Sequence, residues 1–197
     1  MTEKIINDEA LDILFRNARS YNAWQDRPVS NALMQAVYDL LKWAPTSANC
    51  SPARFVFVVS DEGKARLRPH LMDGNVDKTA SASACVIIAH DMDFYEKLPE
   101  LFPHTDAKSW FVGNDALIAE TAMRNGTLQG AYFMIAARAL GLDCGPMSGF
   151  DQAGINNEFF AGTTFKSNFL CNIGYGTNED LLGRSPRMAF DDACQVV

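Results

Sequence analysis

Two Arg-Ser pairs stand near opposite ends of the chain. They are Arg19-Ser20 in "ARSYNAW" (18–24) and Arg184-Ser185 in "LLGRSPRMAF" (181–190), with Arg187 close behind. A guanidinium donates in a planar fork that matches phosphate oxygens, so together these residues suit a phosphate monoester. Taken singly, Arg19, Arg184 and Arg187 read as solvated surface residues. A third cluster is the corner "PTSANCSP" (45–52), where Thr46, Ser47, Ala48, Asn49, Cys50 and Ser51 lie between Pro45 and Pro52. A helix-to-strand connection usually needs fewer residues. Short hydroxyl and amide side chains leave room for a ligand to approach the backbone.

Other chemistries find little support. No GxGxxG follows a strand and no GxxxxGK[ST] is present, which removes the two common phosphate cradles by pattern. "GPMSGF" places Met147 two residues before Ser148, so the nucleophile elbow GxSxG is missing. His70, His90 and His104 lack metal-ligand spacing, and no metal site is expected. Cys50, Cys85, Cys144, Cys171 and Cys194 form no CxxC pair and are expected to be reduced, buried thiols.

The elements that would hold these clusters can be placed from periodicity and caps. Asn7 or Asp8 caps a first helix with Leu11, Leu14, Phe15 and Ala18 at helical spacing. Ser30 caps a second, whose face is Leu33, Val37, Leu40 and Leu41, stopped by Pro45. "RFVFVV" (54–59) and "ACVIIA" (84–89) are expected as fully buried strands, with a short helix from Ser60 to about Arg68 between them. The longest helical pattern spans 114–140, with Gly141 at its C-terminal cap. "GLDCGPM" and "SNFLCNIGYG" (167–176) add a short extended stretch and a further strand. Strands alternating with helices predict a mixed α/β layer structure in one domain, 1–197. Gly126 and Gly130 in the long helix permit a close approach, either by a second subunit or by the rest of the same domain. Segment 90–114 is either a flap beside a pocket or a helical excursion packed on the core.

Composition narrows the partners. Hydrophobic residues make up 48% of the 197, enough for a sizeable core. A formal net charge of −7 argues against nucleic acid and anionic membrane surfaces. No apolar run long enough for a membrane span or a secretory signal is visible, and the expectation is a soluble, cytoplasmic protein.

In their order along the chain, these clusters resemble the FMN-dependent nitroreductase family. The likeness runs from about residue 12 to 195. It comprises the Arg-Ser element, "DRPVS", the corner P-[ST]-S-x-N-x-x-P-x-[RH]-F, "GN" with a following Lys, "GLD…GFD", and "IGYG" before "PR". "KWAPTSANCSPARF", "LFPHTDAKSWF", "GPMSGFD" and "KSNFLCNIGYG" are most similar to one branch. That branch contains the malonic semialdehyde reductase of pyrimidine utilisation and relatives named NADH dehydrogenase or NAD(P)H nitroreductase.

The resemblance implies an α+β sandwich, with a central, mainly antiparallel sheet flanked by helices, and an intertwined homodimer holding FMN at the subunit boundary. Arg19, Ser20, Arg187 and, in compensation, Arg184 would hold the FMN phosphate. Ala18 and Asn22 depart from positions that are basic in many relatives, and Asn22 is retained among the cofactor contacts. Pro45, Thr46, Ser47 and Asn49 would line the flavin. Asn75 and Lys78 would face the pyrimidine edge of the ring. Pro146, Met147, Ser148 and Gly149 would also contact the cofactor, with the backbone N–H groups of Ser148 and Gly149 approaching flavin N5. Many relatives have Glu where Ser148 stands.

The implied activity is ping-pong hydride transfer from NAD(P)H through the flavin to a small acceptor, with Lys78 as an electrostatic, flavin-tuning residue. Malonic semialdehyde, reduced to 3-hydroxypropionate, is the first candidate acceptor, with Arg124, Lys108 or Arg54 available to meet its carboxylate. A broad nitroaromatic, quinone or enone reductase is the alternative within the enzyme class. A flavin-binding module without turnover is the alternative outside it.

Overall fold

The computed structural model describes residues 4–197. Its helices are α1 (Asp8–Leu11), α2 (Asn31–Leu41), α3 (Asp61–Leu67), α4 (Asp73–Ser81), α5 (Leu98–Leu101), α6 (Asp115–Ala139), α7 (Gln152–Phe159) and α8 (Phe190–Ala193). Its strands are β1 (Ala53–Val58), β2 (Ala84–Asp91), β3 (Asp143–Met147) and β4 (Phe165–Gly174). The strands form one antiparallel sheet in the order β1-β2-β4-β3.

Alternation along the strands sorts side chains between two layers. Val86 and Ile88 of β2 and Cys171 and Ile173 of β4 pack with Val37, Leu41, Phe133 and Ala137 of α2 and α6. Cys85, Ile87 and Leu170 face the other way, onto Leu67, Ile155 and Phe160. Helices cover both faces of β2, and Ala84 to Ala89 are buried as their unbroken apolar run predicts, while the strand continues through His90 and Asp91, which are buried too. β1 differs from expectation. It ends at Val58, and Arg54 to Phe57 are only partly buried, because β1 is an edge strand with a neighbour on one side alone.

The caps follow the sequence closely. Asn7, Ser30, Ser60 and Asn114 side chains accept from the backbone N–H three residues on. At the end of α6, Gly141 has φ +79°, its N–H bonds to Arg138 O, and Leu142 N–H bonds to Ala137 O. This paired arrangement satisfies two carbonyls that the helix leaves free. Two face assignments need correction. Helix α1 stops at Leu11 and continues as a π-type turn through Arg16, leaving Phe15 exposed. In α2 the buried residues are Met34, Val37 and Leu41, while Leu40 points outward.

The glycines of α6 serve packing within the chain. A Cβ on Gly126 would lie 2.9 Å from His90 Cβ, and one on Gly130 would lie 2.7 Å from the Phe169 ring. Segment 90–114 is a helical excursion: Phe94, Leu98, Ala107 and Phe111 pack on Ile118 and Ala122 of α6 and on Cys50. Four cysteines are buried as expected, but Cys194 is exposed.

Candidate active site

Chain segment 20–25 has no strand of its own yet is tied to the sheet. Ser20 bridges Cys144 of β3, Tyr21 N–H donates to Cys144 O, and Trp24 bridges Gly176. Gln25 N–H and Thr177 N–H complete the attachment through Tyr175 O and Ala23 O. The C-terminal segment then folds over this edge. Arg19 donates through Nη2 to Leu182 O, and Arg184 Nη2 donates to Arg16 O at 2.6 Å and Ala18 O at 3.0 Å. Each arginine thus grips the backbone just before the other Arg-Ser pair, and the two remote segments are clasped together.

The clasp encloses a groove of about 510 Å³ lined by Arg19, Ser20, Asn22, Arg138, Arg184 and Arg187 among others. Among the described residues, no Asp or Glu lines it. Four guanidinium groups without a carboxylate, on a chain of net charge −7, concentrate positive charge in this groove. Arg138, in the last turn of α6, has no sequence motif around it, and its position could not be read beforehand.

Asn22 also lines a second groove of about 580 Å³, with Trp24, Gly74, Asp77 and Lys78. The two grooves thus meet at Asn22. Lys78 is partly buried, and that burial lowers its ammonium pKa below the ordinary lysine value. One turn before it on the same helix, Asn75 Nδ2 donates to Gly149 O at 2.7 Å. Met72 N–H donates to the same carbonyl, and Leu71 bridges Phe150. A Cβ at Gly149 would come 2.6 Å from Asn75 Nδ2, so a side chain there would push the amide out of this position. The structure therefore joins Asn75 to Gly149. Ser148 is exposed beside them, and Pro146 is exposed on β3. The Met147 side chain instead turns into the core, where it meets Thr79 Oγ1 and Asn172 Nδ2, each at 3.7 Å.

The corner 45–52 has a local cause for its short side chains. Ala48, Asn49 and Ser51 all have positive φ, between 40° and 49°. Left-handed backbone disfavours branched or bulky residues. Thr46 Oγ1 accepts from Ser51 N–H at 3.1 Å, and Asn49 Nδ2 donates to Leu101 O at 2.8 Å, so both groups already have partners. Two buried amides of α6, one turn apart, hold the corner's backbone. Asn125 Oδ1 accepts from Ser47 N–H at 2.9 Å, and Gln129 Oε1 accepts from Ala53 N–H at 2.8 Å. Polar residues on the inward stripe of an apolar helix were the available signal for them. Pro45, Thr46, Ser47 and Asn49 line neither of the two grooves.

The three cations considered for a substrate carboxylate are all paired within the chain. Arg54 meets Asp91 at 2.6 Å, Lys108 meets Glu96 at 2.6 Å, and Arg124 meets Glu120. Arg54 is the most firmly held, because Asp91 also accepts from Thr164 Oγ1 at 2.6 Å and Asp93 N–H at 3.0 Å. Arg54 further donates to the carbonyls of Ser51, Pro52 and Ala53, which makes it a brace for the corner.

The Nitroreductase family model matches residues 15–175. The chain belongs to the nitroreductase family. A protein of Burkholderia lata, provisionally named NADH dehydrogenase/NAD(P)H nitroreductase, is 60% identical over 191 residues, covering 97% of this chain and 98% of its own. Among solved structures, a provisionally identified nitroreductase of Exiguobacterium sibiricum, in complex with FMN, superposes with a TM-score of 0.86 at 22% identity over the full length of both chains. A provisionally identified NAD(P)H:FMN oxidoreductase of Staphylococcus epidermidis gives 0.84 at 20% identity, again over both full lengths. The nitroreductase fold, with its antiparallel sheet flanked by helices, is the one the sequence resemblance implies.

Proposed function

We propose that this nitroreductase family member binds FMN and uses NAD(P)H to reduce a small acceptor. The observation that carries the proposal is the acid-free cluster of Arg19, Arg138, Arg184 and Arg187, joined through Asn22 to the groove of Lys78. A ligand with a phosphate at one end and a flat ring system at the other has complementary surroundings along that path. The FMN complex of the Exiguobacterium protein and the name of the Burkholderia relative support the same choice.

FMN, when bound, supplies a two-electron carrier between NAD(P)H and the acceptor. In the net reaction NAD(P)H loses a hydride, the acceptor gains it, and solvent provides the accompanying proton. The chain's own part is binding and electrostatics. The arginines and Ser20 hold the phosphate. Lys78 presents an ammonium that favours negative charge building up on the ring. Asn75, whose Nδ2 is engaged by Gly149 O, keeps Oδ1 available as an acceptor for a ring N–H. Ser148 and Gly149 offer backbone N–H groups in place of the carboxylate found in many relatives.

The proposed assembly is a homodimer in which the corner 45–52 of one chain completes the site of the other. Its support is the placement of the corner outside its own chain's grooves, together with exposed Tyr38, Leu40 and Trp43 around α2 and Met123, Leu128 and Tyr132 on α6. Apolar surface of this kind is normally covered by a partner.

Malonic semialdehyde is the acceptor suggested by the branch that the sequence resembles. Its carboxylate would have to displace an acid already bound to Arg54, Lys108 or Arg124, exchanging one ion pair for another. That observation favours the second reading, an uncharged nitroaromatic, quinone or enone acceptor. The decisive experiment is the absorption spectrum of the purified protein before and after anaerobic NAD(P)H, followed by steady-state assays with each acceptor class. Flavin bands that bleach support the proposal, and a colourless protein that takes up no FMN overturns it. Faster turnover of the semialdehyde than of the nitroaromatic or quinone would reject the second reading.

A further inference from the structure

The last turn of a helix leaves its carbonyls without intrahelical donors. In α4 the Lys78 carbonyl is one of these, since the chain turns extended at Ala82. Two side chains from outside the helix supply the missing donors. Trp24 Nε1–H reaches Lys78 O at 3.0 Å, and Asn172 Nδ2 reaches it at 3.2 Å. Lys64 Nζ treats the next carbonyls similarly, donating to Ala80 O at 3.1 Å and Ala82 O at 2.6 Å.

Trp24 is seated with unusual care for an aromatic outside the regular strands. A Cβ at Gly145 would lie 3.1 Å from its ring, and one at Gly174 would lie 3.2 Å from it. Neither glycine has positive φ, so the missing side chains serve close approach: a Cβ at Gly145 would first meet Tyr21 O at 2.5 Å and one at Gly174 would first meet Ser83 Oγ at 2.6 Å, with the indole packed beside both. Asn172 is fully buried on β4, on the same face, and also donates to Thr79 Oγ1 at 3.2 Å. The carbonyl of Lys78 is thereby bound to the rigid part of the sheet, while its side chain enters the groove shared with Asn22.

We propose that Trp24 is the positioning residue for Lys78, clamping its carbonyl to the β3–β4 face so that the ammonium is held in the groove beside Asn22. The role assigned to Trp24 rests on the proposal that this groove receives the flavin. The clamp works through one N–H group, and the body of the indole supplies packing that is separable from it. Loss of the N–H leaves Asn172 as the lone external donor among the described residues, and the end of α4 gains freedom to move the ammonium toward solvent.

The test uses Trp24→Phe and, to retain the volume of the indole, β-(3-benzothienyl)alanine at position 24, which lacks the N–H. Melting curves first establish that both variants fold. Dissociation constants for FMN are then measured by flavin fluorescence in the Lys78 protein and in a Lys78→Met background. Removing the N–H should weaken FMN by about fivefold to tenfold when Lys78 is present. It should change little once Lys78→Met has removed the group being positioned. Equal factors in both backgrounds mean that Trp24 acts on the fold alone, and the proposal is overturned. A second readout needs no flavin: the pH titration of Lys78 followed by NMR of the 13C-methylated protein. Release of the clamp should raise the Lys78 pKa toward that of an exposed lysine. An unmoved titration in the benzothienyl variant overturns the clamp, even if the wild type binds no FMN and the functional proposal has failed separately.

Discussion

Replacing Arg187 with alanine should weaken FMN without weakening riboflavin. Of the arginines in the acid-free groove, Arg19 and Arg184 also clasp the two ends of the chain together, so their removal mixes folding with binding. Among the described residues, Arg187 donates only to the neighbouring carbonyls of Ser185 and Pro186, at 2.9 and 3.1 Å. Its guanidinium is exposed, and among the described residues its loss breaks no hydrogen bond beyond those two. A charge-assisted hydrogen bond contributes about 1.5–3 kcal/mol, and exposure places this one near the lower limit. The expected loss is therefore about tenfold in the FMN dissociation constant. Quenching of flavin fluorescence during titration measures both ligands in the same buffer. Raising the ionic strength should weaken FMN far more than riboflavin, because only the phosphate meets the cationic cluster. An Arg187→Ala protein in which both ligands weaken by the same factor would refute the reasoning, as would a wild type that binds them equally.

Gly130→Val should lower unfolding free energy by about 2 kcal/mol in urea denaturation, since the first side-chain carbon already falls 2.7 Å from the Phe169 ring. Asp91→Asn should cost about 3–5 kcal/mol by the same assay, because it leaves the Arg54 charge without its acid in a partly buried network. His90 is buried, its Nδ1 has no partner among the described residues, and desolvation lowers its pKa below 6.5, opposed by Asp91 and assisted by Lys166. The unfolded chain therefore binds the proton first, and stability should fall as pH drops from about 6.5 through the lower folded value. His90→Gln should lose less stability between pH 7.5 and pH 5.5 than the wild type, and equal losses would remove His90 as a cause.

Much of this architecture was legible because its causes are local. Ser30, Ser60 and Asn114 mark helix starts through hydrogen bonds that span three residues, and Gly141 marks an end that needs left-handed backbone. The buried β2 run and the long β4 strand carry their own periodicity. Order within the sheet has no such local trace, which is why β1 was expected to be enclosed and proved to be an edge. The exposure of Leu40 and Phe15 depends on what packs beside their helices, and periodicity alone does not choose among adjacent apolar positions. The arginine pairs were visible as residue types. Arg138, Trp24, Asn125 and Gln129 were not, since each acquires its role from a partner distant in sequence. In the sequence the short side chains of 45–52 suggest ligand access, whereas the left-handed backbone itself favours them at Ala48, Asn49 and Ser51.

Arg19 and its acceptor Leu182 are separated by 163 positions. A growing polypeptide that has emerged only as far as Asp180 possesses the whole sheet but only one wall of the cationic groove. The groove is consequently among the last features to exist during synthesis. Proteolytic nicking just beyond Asp180 would open it while sparing the core, so cofactor retention would report whether the tail is intact.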